Sequence, residues 1–292
     1  MTQQLQQILT SVTQQSIHIK QVRPVAGGSI NESLHVATDQ GNFFVKLNQV
    51  ELQDMFAAEH EGLLAMAQTS SIRVPQSFAY GVEQTDAYIV MEYIELGSAK
   101  SSSATLLGEQ LAAMHQHTQA QFGWYRHNTI GSTPQINTLE SDWVTFFAEH
   151  RLLFQLQLAA RHGFSGDLQQ QGDRLVNGLK YFFTDYQPQA SLLHGDLWSG
   201  NYAYDKNAQP VIFDPAVYYG DRETDLAMTE LFGGFPADFY AAYNRAWPLD
   251  SGYQVRKHLY KLYHVLNHLN LFGGGYLSQA QQLLDRLLSE LN

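Results

Sequence analysis

Up to about residue 95 the chain shows short apolar stretches with partial alternation, and from about residue 101 onward its apolar positions recur at helical spacing. After a first helix, strands are predicted over Ile17–Val25, Ser33–Thr38 and Asn42–Leu47, with the Asp39-Gln40-Gly41 turn joining the last two. A helix over Leu52–Thr69 and strands over Gln76–Tyr80 and Tyr88–Tyr93 follow. Gly97–Ser103 is rich in small residues and suits a hinge or a helix entry. Helices are then predicted over Ala104–Thr118, Trp143–His162, Asp167–Tyr186, Asp221–Phe232, Ala237–Trp247, Gln254–Phe272 and Ser278–Leu291. The pattern predicts an α+β protein with a small β-rich lobe, residues 1–95, and a larger, mainly helical lobe, residues 96–292.

Polar residues that interrupt these apolar patterns carry the candidate chemistry. Lys46 stands in Phe43-Phe44-Val45-Lys46-Leu47, a strand apolar enough to be buried, so its ammonium needs a charged partner. At 100° per residue, Leu52, Phe56, Glu59, Leu63 and Met66 share one helical stripe, which places the Glu59 carboxylate on an apolar face. A Lys46–Glu59 pair would aim the ammonium at the α- and β-phosphates of a nucleotide. In the alternative, Lys46 lies at a strand edge and Glu59 reaches solvent around its helix. Between the first two strands, Ala26-Gly27-Gly28-Ser29-Ile30-Asn31 matches neither a Walker A loop nor GxGxxG. It reads either as a plain hairpin turn or as a loop whose backbone N–H groups approach phosphate oxygens at Gly27, Gly28 and Ser29. The backbone of Glu92, Tyr93 and Ile94, where an apolar strand meets the lobe junction, is a candidate adenine contact, although a core strand would carry the same side chains.

Most of the chemistry concentrates in His194-Gly195-Asp196-Leu197-Trp198-Ser199-Gly200-Asn201 and Phe213-Asp214-Pro215. Apolar runs Ser191-Leu192-Leu193 and Val211-Ile212-Phe213 end at these polar residues, and Lys206–Pro210 supplies a turn between them. Phosphoryl transfer requires positioning and charge neutralisation more than covalent chemistry. Asn201 and Asp214 offer oxygen ligands for Mg²⁺, which leaves Asp196 to orient the attacking hydroxyl and accept its proton. This residue set points to an ATP-dependent kinase acting on a small molecule.

With 44% hydrophobic and 15% charged residues the chain is globular, and a formal net charge of −11 disfavours nucleic acid or an anionic membrane as partner. Zero cysteines exclude disulfides, thiolate nucleophiles and zinc-thiolate centres. Met1–Ile19 lacks the basic start and apolar core of a signal peptide, and no apolar run reaches membrane-spanning length. A cytoplasmic location is expected.

Taken together, the Gly27-Gly28 loop, Phe43–Lys46, Phe56–Glu59, Met91-Glu92-Tyr93, His194–Asn201 and Phe213–Glu223 resemble the fructosamine kinase (ketosamine-3-kinase) family, part of the aminoglycoside-phosphotransferase-like kinases. The resemblance continues through Asp225–Met228, Leu231–Phe235 and Leu262–Gly273, covering nearly the whole chain. It implies a bilobal protein-kinase-like fold and phosphorylation by Mg-ATP of the sugar O3 of ketosamines, free or protein-bound, whose unstable product then releases the amine. Family members often carry a cysteine in the glycine loop where this chain has Ser29, which puts thiol-based regulation in doubt here.

Aminoglycosides, choline and other amino alcohols remain alternative acceptors, since fold alone does not choose among them. A nucleotide-binding pseudokinase would normally have lost one of Lys46, Asp196, Asn201 and Asp214, and all four are present. His194 is expected to orient the catalytic loop through hydrogen bonds. Asp221 and Asp225 flank a helix start and read as capping residues, whereas the resemblance gives Asp225 the role of bracing the catalytic loop. Trp198, Tyr219 and Trp247 are candidates for a sugar-stacking surface or for core packing. His264 and His268, one helical turn apart, lack the glutamate of a metalloprotease motif.

Overall fold

The computed structural model describes residues 1–25 and 30–291, so Gly27, Gly28 and Ser29 lie outside the described residues. Helix α1 (Thr2–Thr13) precedes strands β1 (Ile19–Pro24), β2 (Glu32–Thr38) and β3 (Asn42–Gln49), followed by helix α2 (Gln53–Gln68). Strands β4 (Ser77–Glu83) and β5 (Asp86–Glu92) complete an antiparallel sheet in the order β1-β2-β3-β5-β4. Strand alternation sorts the side chains of β3 onto two faces. Val45 packs with Val90 and Tyr88 against Leu5, Ile8 and Leu9 of α1. Lys46, opposite Ile89, lies on the other face, where Phe56, Glu59, Leu63 and Met66 of α2 are buried. Burial of Phe56, Leu63 and Met66, each worth about 1.5–3 kcal/mol, holds the helix with Glu59 turned inward.

The rest of the chain begins with α3 (Ser103–His115), β6 (Thr118–Gln119) and the hairpin of β7 (Asn128–Ile130) and β8 (Thr133–Gln135). A continuous helical run comprises α4 (Trp143–Phe147), a π-helical segment (Ala148–Leu153) and α5 (Phe154–Arg161). Next come α6 (Asp167–Gly178), β9 (Ala190–Leu193), the hairpin of β10 (Tyr202–Tyr204) and β11 (Pro210–Ile212), and β12 (Tyr218–Gly220). Helices α7 (Glu223–Thr229), α8 (Ala237–Ala246), α9 (Tyr253–Phe272) and α10 (Leu277–Ser289) close the fold. One hydrophobic core runs from Phe56, Leu63 and Ile89 through Leu193 and Ile212 to Leu262 and Leu287. Among the described residues, no helix is long and apolar enough to cross a membrane.

Several predicted bounds change for local reasons. The helix expected over Asp167–Tyr186 leaves α geometry after Gly178 and tightens into a 3-10 turn over Leu179–Phe183. That expected from Asp221 starts at Glu223, because Asp221 lies outside it and accepts the Glu223 N–H at 3.0 Å. The helix predicted over Ala104–Thr118 ends at His115 and β6 begins at Thr118, while residues 119–142, for which no element is predicted, contain β7 and β8.

A pH dependence of stability follows from α9. His264 is fully buried, neither ring nitrogen has a partner among the described residues, and burial pushes its pKa down to about 3. An unfolded chain takes up this proton near pH 6.5 while the folded one does not, so stability is complete above 6.5 and is lost as pH falls toward 3. Between pH 7 and 5 the loss from this group should be about 2 kcal/mol. Urea titrations of wild type and His264→Phe at the two pH values check this; an unchanged pH slope in the variant would disprove it.

Candidate active site

A cleft of about 500 Å³ opens between the five-stranded sheet and the β10–β11 hairpin. On its sheet side Lys46 Nζ donates to Glu59 Oε1 at 2.6 Å, and both residues are buried. The same ammonium also contacts Asp214 Oδ1 across the cleft. Lys46 thereby links the sheet and α2 to the loop after β11. Met91, Glu92, Tyr93 and Ile94 line the cleft where β5 ends. Glu92 is committed elsewhere, its N–H donating to Gln76 O at 2.8 Å and its carboxylate pairing with Arg73 at 2.7 Å. The Tyr93 ring stacks on His35 at 3.8 Å, and the side chains of Met91 and Ile94 are apolar, so a hydrogen bond from this segment to a flat base would come from main-chain groups.

The His194–Asn201 loop owes its shape to a buried carboxylate and a glycine. Asp225, on α7, accepts the N–H of His194 at 2.7 Å and of Gly195 at 2.9 Å, and also contacts His115 Nε2 at 3.1 Å. Burial opposes the charge of Asp225, yet its hydrogen bond to His115 and the neighbouring imidazoles hold its carboxyl below the usual range. Burial lowers the pKa of His194, which bonds Phe213 O through Nε2 at 2.9 Å, and its carbonyl accepts Ala216 N–H at 2.8 Å. Asn201 O accepts Phe213 N–H at 3.0 Å. These bonds clamp the segments on either side of Asp214, itself at φ 60° in a left-handed conformation that Asp tolerates.

Asp196 sits at the floor of the cleft, part-exposed but closely surrounded. Burial and then the nearby Asp225 charge push its carboxyl up to about 7, against the pull of the Asn201 amide. That amide donates to Asp196 O at 2.8 Å and to Oδ2 at 3.2 Å, which turns the Asn201 carbonyl oxygen away from Asp196. An all-oxygen pair, Asn201 Oδ1 and the Asp214 carboxylate, suits a hard divalent cation.

Gly195 has φ +83°, and a Cβ there would lie 2.0 Å from Ala216 O. Gly195→Ala should therefore displace the loop and cut kcat/KM on the order of 10²-fold. Steady-state kinetics on the folded variant test this, and near-wild-type turnover would show that the loop tolerates the displacement.

Lys46, Glu59, Asp196, Asn201 and Asp214 converge on this cleft, and Trp198, 36% exposed, lines it with them. Tyr219 and Trp247 do not reach it, which corrects the expectation of a three-ring stacking surface. Tyr219 lies in β12, its backbone paired with Gly123, and packs against the core. Trp247 follows α8, where the Arg222 guanidinium covers its ring at 3.8 Å. In their place the cleft receives Asn128, Thr129, Ile130 and Gly131 from the β7–β8 hairpin and His268, Leu271 and Phe272 from α9. Sequence reasoning missed this hairpin, because strands of three residues are too short to show a period; the available signal was Ile130-Gly131-Ser132-Thr133, a glycine turn between β-branched residues.

Comparison with known proteins agrees with this geometry. A model of the fructosamine kinase family matches residues 1–290. A Synechocystis protein described as a probable ketoamine kinase is 49% identical over 287 residues, covering 98% of this chain and 96% of the relative. The chloroplastic protein-ribulosamine 3-kinase of Arabidopsis thaliana is 46% identical over 276 residues, 94% of this chain and 84% of that protein. A crystal structure assigned to a fructosamine-3-kinase of Haemophilus somnus superposes with a TM-score of 0.90 at 31% identity, covering 99% of this chain and 98% of that one. An aminoglycoside phosphotransferase in complex with ADP and hygromycin B gives a TM-score of 0.66 at 13% identity, covering 98% of this chain and 97% of that one, a likeness of fold alone. The architecture is thus the α+β, bilobal, protein-kinase-like one, and the chain belongs to the fructosamine kinase family.

Proposed function

We propose that this protein transfers the γ-phosphoryl group of ATP to the sugar O3 hydroxyl of ketosamines, fructosamine or ribulosamine adducts of amines or proteins, and so promotes deglycation. Family membership and the relatives described as ketoamine and ribulosamine kinases support the substrate class. The observation that carries the mechanism is the convergence of Lys46, Asp196, Asn201 and Asp214 on one cleft. In this reading residues 1–95 form the nucleotide lobe and 96–292 the catalytic and acceptor lobe.

Lys46, steadied by Glu59, neutralises the α- and β-phosphates, and main-chain groups near Glu92, Tyr93 and Ile94 meet the adenine. Asn201 Oδ1 and the Asp214 carboxylate would hold Mg²⁺, which neutralises charge on the phosphates. Asp196 accepts the O3 proton as the O3–P bond forms and the bond from the γ-phosphorus to the β-bridging oxygen breaks, leaving ADP and the 3-phosphate. Asp225 and His194 hold the loop that carries Asp196. Trp198 offers a flat face to the sugar. A cytoplasmic location belongs to the same proposal, although the Arabidopsis relative is described as chloroplastic.

Cleft electrostatics favour this acceptor over a polycationic aminoglycoside. Among the described residues lining the cleft the acids are Glu59, Glu92, Asp196 and Asp214. Three are already engaged, Glu59 and Asp214 with Lys46 and Glu92 with Arg73, so no acidic cluster is left for several ammonium groups. Incubation with Mg-ATP and a ribulosamine or fructosamine should release ADP with phosphate on O3; silence across a broad ketosamine panel would defeat the substrate assignment.

A further inference from the structure

Helix α2 carries Glu59, yet its hold on the rest of the molecule includes a contact outside the cleft. Arg126, just before the β7–β8 hairpin, reaches α2 with both terminal nitrogens. Its Nη2 lies 2.5 Å from Asp54 Oδ1 and 3.3 Å from Asp54 O, and its Nη1 lies 2.8 Å from Glu61 Oε1. Tyr125 adds its hydroxyl to Glu61 Oε2. Asp54 and Glu61 are seven residues apart, two helical turns on one face, so a single guanidinium pins the helix at two heights.

The segment carrying Arg126 is itself fixed. Asn137, fully buried, accepts the Trp124 N–H at 3.0 Å, donates to Arg126 O at 3.2 Å and to Asn128 Oδ1 at 2.9 Å, and is held by Arg151 Nη2 at 2.8 Å. Close packing on another side limits α2 further. A Cβ on Gly62 would lie 3.0 Å from Val217 Cγ2 and 3.6 Å from Pro215 Cγ, which puts the helix backbone against the residues that follow Asp214. Arg126 has 18% of its side chain exposed and Glu61 26%, so this contact is better shielded than an ordinary surface pair, whereas Asp54 is 86% exposed.

We propose that Arg126 is a positioning residue for phosphoryl transfer: by bridging Asp54 and Glu61 to the fixed 124–128 segment, it holds α2 in the orientation that keeps Glu59 on Lys46. Arg126 is not among the residues that line the cleft. Its effect arises because a displacement of about 1 Å at Glu59 costs turnover far more than the pair contributes to stability. Like-for-like replacement does not preserve the function, since a lysine offers a point charge and cannot span both carboxylates.

The inference rests on the kinase reading, and the test separates the two. Affinity for a non-hydrolysable ATP analogue with Mg²⁺, measured by calorimetry, needs no acceptor; kcat is measured with the ketosamine that the wild type uses. Arg126→Ala should keep its circular-dichroism spectrum and weaken nucleotide affinity and kcat at least 10-fold. Arg126→Lys should fall between, since its single ammonium can hold one of the two carboxylates but not both. Should Arg126→Ala fail to fold, the pair Asp54→Asn with Glu61→Gln reports the same loss with Arg126 in place. A folded Arg126→Ala with affinity and kcat within two-fold of wild type overturns the proposal, as do losses that merely track the folded fraction. Wild-type protein that binds the analogue but phosphorylates no ketosamine counts against the substrate reading alone.

Discussion

Asp196→Asn should lower kcat by roughly 10²–10⁴-fold while raising the melting temperature of the protein measured without nucleotide or divalent cation. The activity loss follows from removing the one carboxylate, among the described residues lining the cleft, that is not already paired with a cationic side chain. The stability gain has a separate cause. Burial and the Asp225 carboxylate push Asp196 up to about 7, so at pH 8 the folded protein carries a charge that its surroundings oppose. A carboxyl with a raised pKa destabilises the fold at every pH above its unfolded value, and a neutral amide of the same shape removes that penalty. Asn201 can donate to the new carbonyl oxygen as it does to Oδ2 now. Calorimetric melting with steady-state kinetics on the same sample decides it. Lower activity with a lower melting temperature would mean that Asp196 supports the loop instead of facing the acceptor.

Lys46→Met should reduce kcat/KM for ATP on the order of 10²–10³-fold, the scale of losing one preorganised charge at a reacting group. The fold should survive, because methionine retains the apolar stem in β3. Breaking a buried pair by removing one partner still costs about 3–5 kcal/mol when the other charge stays. Lys46→Met with Glu59→Gln should therefore regain stability and no activity. Recovery of turnover in the double variant, or full activity in the single one, would remove Lys46 from the mechanism.

What was legible in the sequence follows from the physics of each element. Glu59 stands out because a carboxylate on a stripe with Phe56, Leu63 and Met66 conflicts with its neighbours unless paired, and the structure gives it Lys46. The β3 strand and the β10–β11 hairpin are readable because their apolar runs end at polar residues close in sequence. Long-range placement is harder. Trp247 and Trp198 are equally aromatic on paper, and only the packing of α8 assigns one to Arg222 and the other to the cleft. The far wall of the cleft depends on three-residue strands and on where the end of α9 lands, neither of which has a periodic signature. A π-helical segment at Ala148–Leu153 is likewise invisible to a 3.6-residue period that continues on both sides of it.

A crystal structure with ADP, Mg²⁺ and an intact ketosamine would show directly which sugar oxygen faces which carboxylate. The sugar O3 should lie at about 2.6–3.2 Å from Asp196, with the nucleotide phosphates along Lys46. A different hydroxyl at Asp196, or a ketosamine seated outside the cleft, would contradict transfer to O3.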